Sequence, residues 1–154
     1  MLTREELAAI PRPESLDAKV AAALGLKTRD DSRWCQGQCV GMPREDGNFP
    51  VAKTSGPHFH SDWKYWKEYP YENDGDWENL PYFSSSWDAT GPLIEKYGIL
   101  LYQDSSSGSW QAYSGEVREF YNELYLPGDD FATGPTPLVA VCHLILTLHA
   151  AGKL

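Results

Sequence analysis

The chain has 154 residues, with 13 Lys plus Arg against 22 Asp plus Glu and a formal net charge of −9. A chain of this length buries roughly two-thirds of its extended surface and fits one domain, and its acidity opposes duplex nucleic acid and anionic lipid at long range. No run approaches the roughly 18 apolar residues of a membrane span, the opening Met1-Leu2-Thr3-Arg4-Glu5-Glu6 lacks the pattern of a secretion signal, and three cysteines in that setting argue for free thiols or metal ligation, so a cytoplasmic location is expected.

Thr3-Arg4-Glu5-Glu6 has capping-box spacing and predicts a short first helix. Pro11 and Pro13 end it, since each removes an amide donor and restricts the residue before it. Ser15 then caps a second helix with Leu16, Val20 and Leu24 on one face and Gly25 as a C-cap. From Lys27 through Leu80 no period of 2 or 3.6 is sustained, which predicts a long, mostly irregular insertion at about 27–80. Residues 61–83 hold eight of the twenty aromatic residues and six carboxylates, as an aromatic lid over a small core or as an acidic aromatic binding face.

Ser84-Ser85-Ser86 offers caps for a helix reaching Gly98, in which Pro92 either makes a kink or stands in the first turn behind Gly91. Residues 99–103 read as a strand, 104–108 as a turn and 109–113 as the hairpin partner. Val117, Phe120, Tyr121 and Leu124 follow helical spacing, which favours a short helix over a third strand. Thr136 as N-cap, Pro137 at the first position and an almost unbroken apolar run to Leu148 predict a core helix packed on more than one side.

The order of these pieces resembles the phage ABA sandwich domain, a family of small proteins from tailed phages. The resemblance rests on Thr3-Arg4-Glu5-Glu6 with Leu16-Asp17-Ala18-Lys19-Val20 and Leu26. It rests also on Pro81-Tyr82-Phe83-Ser84-Ser85 before Leu93-Ile94-Glu95-Lys96, and on Ala132-Thr133 with residues 136–142. It covers about half the chain and implies an α+β fold in one domain, 1–154, with a small antiparallel sheet flanked by helices on both sides. It also implies a phage origin and action in the cytoplasm of an infected bacterium, and it brings no catalytic residues. Where such proteins usually have an acidic residue, an alanine and a tryptophan just before a proline, this chain keeps Asp88-Ala89 but has Thr90-Gly91 before Pro92, and the insertion before Pro81 is long.

Cys35-Gln36-Gly37-Gln38-Cys39 and His58-Phe59-His60 are clustered soft ligands, and two close pairs joined by a loop can supply four donors to a tetrahedral zinc. Cys35, Cys39, His58 and His60 are therefore candidate ligands of a structural zinc that staples the insertion. The alternative is two ordinary thiols and two loop imidazoles. Cys142 reads as a core thiol and His143 and His149 as packing or helix-end residues. No nucleophile elbow, P-loop or dinucleotide fingerprint occurs, so the chain is read as a binding protein and not an enzyme. A metal-dependent phosphodiesterase using His58 and His60 is the catalytic alternative.

A phage accessory protein rich in Trp and Tyr suits sequestration of a small nucleotide-derived immune signal, with bases stacked on Trp87, Trp110 or Tyr82 and phosphate on Arg118 or Arg33. Arg44, Lys64 and Lys67 are further phosphate candidates. A homodimer or higher oligomer is an expected accompaniment. The competing reading is an inhibitor that engages a host or phage protein through the acidic aromatic face.

Overall fold

The computed structural model describes residues 2–40, 51–71, 74–114, 118–120, 123–125 and 130–154. In chain order the elements are α1 (Arg4–Ala9), α2 (Leu16–Ala23), β1 (Thr28–Asp30), β2 (Arg33–Val40), β3 (Val51–His60), β4 (Trp63–Tyr69) and β5 (Asp74–Asn79). There follow α3 (Trp87–Tyr97), β6 (Ile99–Gln103), β7 (Trp110–Ser114), β8 (Arg118–Phe120), β9 (Glu123–Tyr125), β10 (Asp130–Gly134) and α4 (Pro137–Ala150). The fold is α+β, with small antiparallel sheets. The chain divides into two compact units, residues 1–14 with 28–79 and residues 15–27 with 80–154. No helix among the described residues is long and apolar enough to cross a membrane.

The first unit joins α1 to a three-stranded sheet in the order β1-β4-β5 and to the ribbon β2-β3, all antiparallel. This corrects the irregular reading of 27–80: its described residues are largely strand. The alternation was hidden because β4 carries large rings on both faces. Trp66 faces Trp77 across the ladder, while Tyr65 and Tyr69 on the other face both donate to Glu78. Both faces of such a strand look apolar, so a period of 2 never emerges. The pairing of β2 with β3 shifts register between Cys35 and Gly37, opposite the stretch of β3 that holds Pro57, which has no amide to donate.

In the second unit the sheet order is β10-β7-β6. Thr136 caps α4 by accepting from the Val139 amide at 3.2 Å, with Pro137 in the first turn. The helix then buries Leu138, Val141, Leu144, Ile145 and Leu148. It packs on β10 and β7 with one side and on α2 with another, as its all-round apolar sequence requires. The Ser84 amide donates to Asp17 Oδ1 at 2.7 Å and ties the approach of α3 to α2. The helix α3 continues through Pro92 from its N-cap Ser86 to Gly98, whose left-handed φ of 58° ends it.

The sheet face toward α4 carries Ile99, Ala112 and Gly134, all buried. The opposite face carries Leu100, Tyr102 and Phe131, each at least 38% exposed, and Tyr113 stacked on Phe131 at 5.7 Å. Among the described residues α4 packs on β10, β7 and β6, α2 packs on α4, and α3 contacts β6 and α4. The helix expected from Val117 to Leu124 is replaced, in its described residues, by β8 and β9, which pair Arg118 with Tyr125 and Phe120 with Glu123. Val117 and Tyr121 lie outside the described residues. Two three-residue strands separated by two residues satisfy the same apolar spacing as two helical turns, and pairing decides between them.

Candidate anion-binding cleft

In the first unit α1 packs on β2. The helix starts at a full capping box, with Thr3 Oγ1 accepting from the Glu6 amide at 3.1 Å and Glu6 accepting from the Thr3 amide at 2.7 Å. From β2, Gln36 donates to the Leu2 carbonyl at 2.5 Å and accepts from the Leu2 amide at 3.3 Å, so the strand grips the chain just ahead of the helix. Side chains alternate along β2, placing Trp34 with Gln36 and leaving Arg33 and Cys35 on the opposite face. Trp34 meets its register partner Phe59 with ring centroids 5.4 Å apart.

Between helix and strand lies a cleft of about 330 Å³ lined by Arg4, Leu7, Ala8, Arg12, Arg33 and Trp34. Arg4, Leu7 and Ala8 share one helical stripe by their i, i+3, i+4 spacing. Three of the six arginines of this acidic chain line the cleft, Arg33 from the strand position next to Trp34 whose side chain alternates to the other face, and among the described residues no carboxylate lines it. The Arg12 guanidinium is held at 3.0 Å by Asp30, whose other oxygen accepts from the Ser32 amide at 2.9 Å. Partial burial pushes the Asp30 carboxyl up, but the hydrogen bonds from Ser32 and the charge of Arg12 outweigh it and hold the group below its usual range. The Trp34 indole Nε1 is buried, with no hydrogen-bond partner among the described residues.

No known protein family, characterised protein or solved structure matches this chain. Guanidinium forks bind phosphate or carboxylate oxygens, and the indole with Leu7 and Ala8 supplies an apolar wall for a flat ring. A volume of about 330 Å³ stands at the small end of ligand pockets, which run from roughly 300 to 1,000 Å³.

The predicted ligand residues fall in different places. Arg33 lines the cleft. Tyr82 and Trp87 are more than half exposed at the approach to α3, and Trp110 opens β7 half-buried, all in the second unit. Arg118 stands on β8, with its side chain outside the described residues, as is the whole of Arg44. Lys64 is paired with Asp62 at 3.2 Å and Lys67 with Glu78 at 3.6 Å, and neither lines the cleft.

Of the four expected zinc ligands, the ribbon brings Cys35 opposite His58 and places His60 two residues further along, opposite Arg33. Cys39 pairs with Ala52, four strand residues from Cys35. The side chain of Cys39 lies outside the described residues. No group of three or more His, Cys, Asp or Glu among the described residues is arranged to hold a metal ion. Cys142 is buried on α4, where burial and the nearby Asp17 push its thiol up to about 12. His143 donates from Nδ1 to the Thr133 carbonyl at 2.7 Å and so fastens α4 to β10.

Sequence reasoning missed Arg4, Arg12 and Trp34. The stripe of Arg4, Leu7 and Ala8 was readable from helical spacing. What it faces was not, because β2 had no recognisable period.

Proposed function

We propose that the chain is a non-catalytic binding protein that takes up a small nucleotide-like anion in the cleft between α1 and β2. The observation that carries this reading is that Arg4, Arg12, Arg33 and Trp34 line one small cleft in which, among the described residues, no carboxylate takes part. Phosphate oxygens would engage the guanidinium groups, the base would lie against the Trp34 ring, and a base or sugar acceptor would satisfy the buried indole N–H. The resemblance to phage accessory proteins supports sequestration of a host nucleotide signal as the purpose. Sequestration needs affinity and a preformed pocket but no bond-breaking group.

The test is calorimetric titration with cyclic dinucleotides, cyclic trinucleotides and ADP-ribose derivatives, followed by recovery of the ligand after heat denaturation. One-site binding is expected, with intact ligand released. Because a hydrogen bond to a charged group contributes about 1.5–3 kcal/mol, Arg33→Gln should weaken binding by at least about tenfold. Altered ligand on release would make the chain an enzyme, and no binding across the panel would remove the nucleotide reading.

A further inference from the structure

The start of β5 brings together the groups for a reaction of the chain with itself. Asp74 opens the strand, Gly75 follows it, and the Gly75 amide donates to Asp74 Oδ1 at 2.7 Å. That contact folds the aspartate side chain back over its own peptide link, so the Gly75 nitrogen stands beside the carboxyl carbon Cγ. We propose that Asp74 is a site of spontaneous self-modification, at which the Asp74–Gly75 link closes to a succinimide and reopens as isoaspartate.

Water is the one co-reactant. The Gly75 nitrogen forms a bond to Cγ of the protonated carboxyl and gives up its proton, while the Cγ–OH bond breaks and that oxygen leaves as water. A second water then attacks the main-chain carbonyl carbon of Asp74, whose bond to the Gly75 nitrogen breaks. The chain afterwards runs through Cγ, and the former carbonyl carbon is left as a free carboxylate. One water leaves and one enters, so mass and charge are unchanged and nothing is oxidised or reduced.

The five ring atoms are those that the hydrogen bond already draws together, which lowers the entropic cost of closure. Gly75 has no side chain to crowd its nitrogen during the attack. Asp74 is exposed at the first position of the strand, where water reaches it and the fewest ladder pairs resist a bend. The same strand holds an internal control. The Trp77 amide donates to Asp76 Oδ1, also at 2.7 Å, but that nitrogen belongs to a tryptophan whose ring packs on Trp66 with centroids 5.4 Å apart. Both aspartates are exposed, so the residue that follows and the place in the strand separate 74 from 76. Conversion also changes the hairpin. It inserts one CH2, about 1.5 Å of backbone, between the pair Tyr69–Asp74 and the pair Glu68–Gly75. Gly75 has no slack to absorb it, since a Cβ added there would stand 2.5 Å from Trp66 Cε2 and 2.7 Å from Nε1. The modified hairpin must displace the indole or give up its last pair.

The test incubates the full chain at physiological temperature and near-neutral pH for several weeks, beside a short peptide spanning 70–80 as a standard of reactivity. Isoaspartate is located in proteolytic fragments by electron-transfer mass spectrometry, which tells it from aspartate at equal mass. Conversion at 74 should exceed that at 76 by at least about tenfold, the ratio that about 1.4 kcal/mol in the barrier produces. Asp74→Glu, whose ring would need a sixth atom, should remove the signal at that position. The other Asp–Gly step, Asp46-Gly47, lies outside the described residues and is scored in its own fragment. An intact Asp74 in the full chain after the peptide has converted overturns the site. Equal conversion at 74 and 76 overturns the part assigned to Gly75. None of these outcomes depends on the arginine-lined cleft.

Discussion

Thr90 shows how a single buried hydroxyl fixes the start of α3. It is fully buried, and its Oγ1 donates to the Phe83 carbonyl at 2.5 Å, closing the segment that brings Tyr82 and the three serines to the helix. Thr90→Val keeps the shape but leaves that carbonyl without its partner, a loss of about 1–3 kcal/mol of stability, measured by urea unfolding. A variant as stable as the parent would mean that the carbonyl is satisfied by other means. Cys142 makes a different prediction, about pH. Burial, with Asp17 adding to it, raises its thiol to about 12 in the folded chain, against about 8.5 for an unfolded cysteine. A group whose folded pKa is raised contributes stability in full below the unfolded value, and that contribution is lost as pH rises from about 8.5 toward 12. Cys142→Ala should therefore show a flatter decline in melting temperature above pH 8.5 than the parent. In the native state at pH 8, Cys142 should resist alkylation long after Cys35 has reacted, because the thiolate is the reactive form. Equal labelling of the two would contradict its place in the core.

At the scale of elements, close approach of backbones accounts for one tight junction. Gly134 ends β10 where α4 begins, and a Cβ there would stand 2.7 Å from the Ala140 amide nitrogen and 3.0 Å from the Val139 carbonyl carbon. Backbone atoms cannot move aside as a side-chain tip can, so Gly134→Ala must displace the first turn of α4 from the sheet. The cost expected is about 1–3 kcal/mol, with hydrogen exchange rising first in the amides of β10 and the start of α4. Unchanged exchange would show that the helix shifts without loss. The elements that were legible in the sequence are those whose signals are local. Thr3 with Glu6 fixed α1, Thr136 with Pro137 fixed α4, and the apolar run 99–103 fixed β6. The strands β1 to β5 were not legible, because rings on both faces of β4 and a bulge in β3 erase the period that betrays a strand. The same limit governs the cleft. Arg33 was identified as a phosphate candidate by its chemistry alone, whereas Arg4, Arg12 and Trp34 join it through the packing of α1 on β2, which no local pattern encodes.

At the scale of the whole molecule, the charge distribution sets two opposing electrostatic effects on an anionic ligand. The net charge of −9 repels it at a distance, while Arg4, Arg12 and Arg33 attract it at contact. The two respond differently to salt. Raising ionic strength from about 0.01 M to 0.15 M shortens the Debye length from roughly 30 Å to 8 Å, which removes most of the repulsion felt during approach. Contacts made inside the cleft act over hydrogen-bond distances and are screened less. Association of a nucleotide with the cleft should therefore speed up, or hold steady, over this range, whereas a protein of net positive charge would bind the same ligand more slowly. Dissociation should quicken modestly as the guanidinium contacts weaken. Stopped-flow measurement of Trp fluorescence at several salt concentrations separates the two rates. An association rate that falls steeply with salt would mean that the ligand meets a positive field, and so binds somewhere other than a small cationic cleft in an acidic surface.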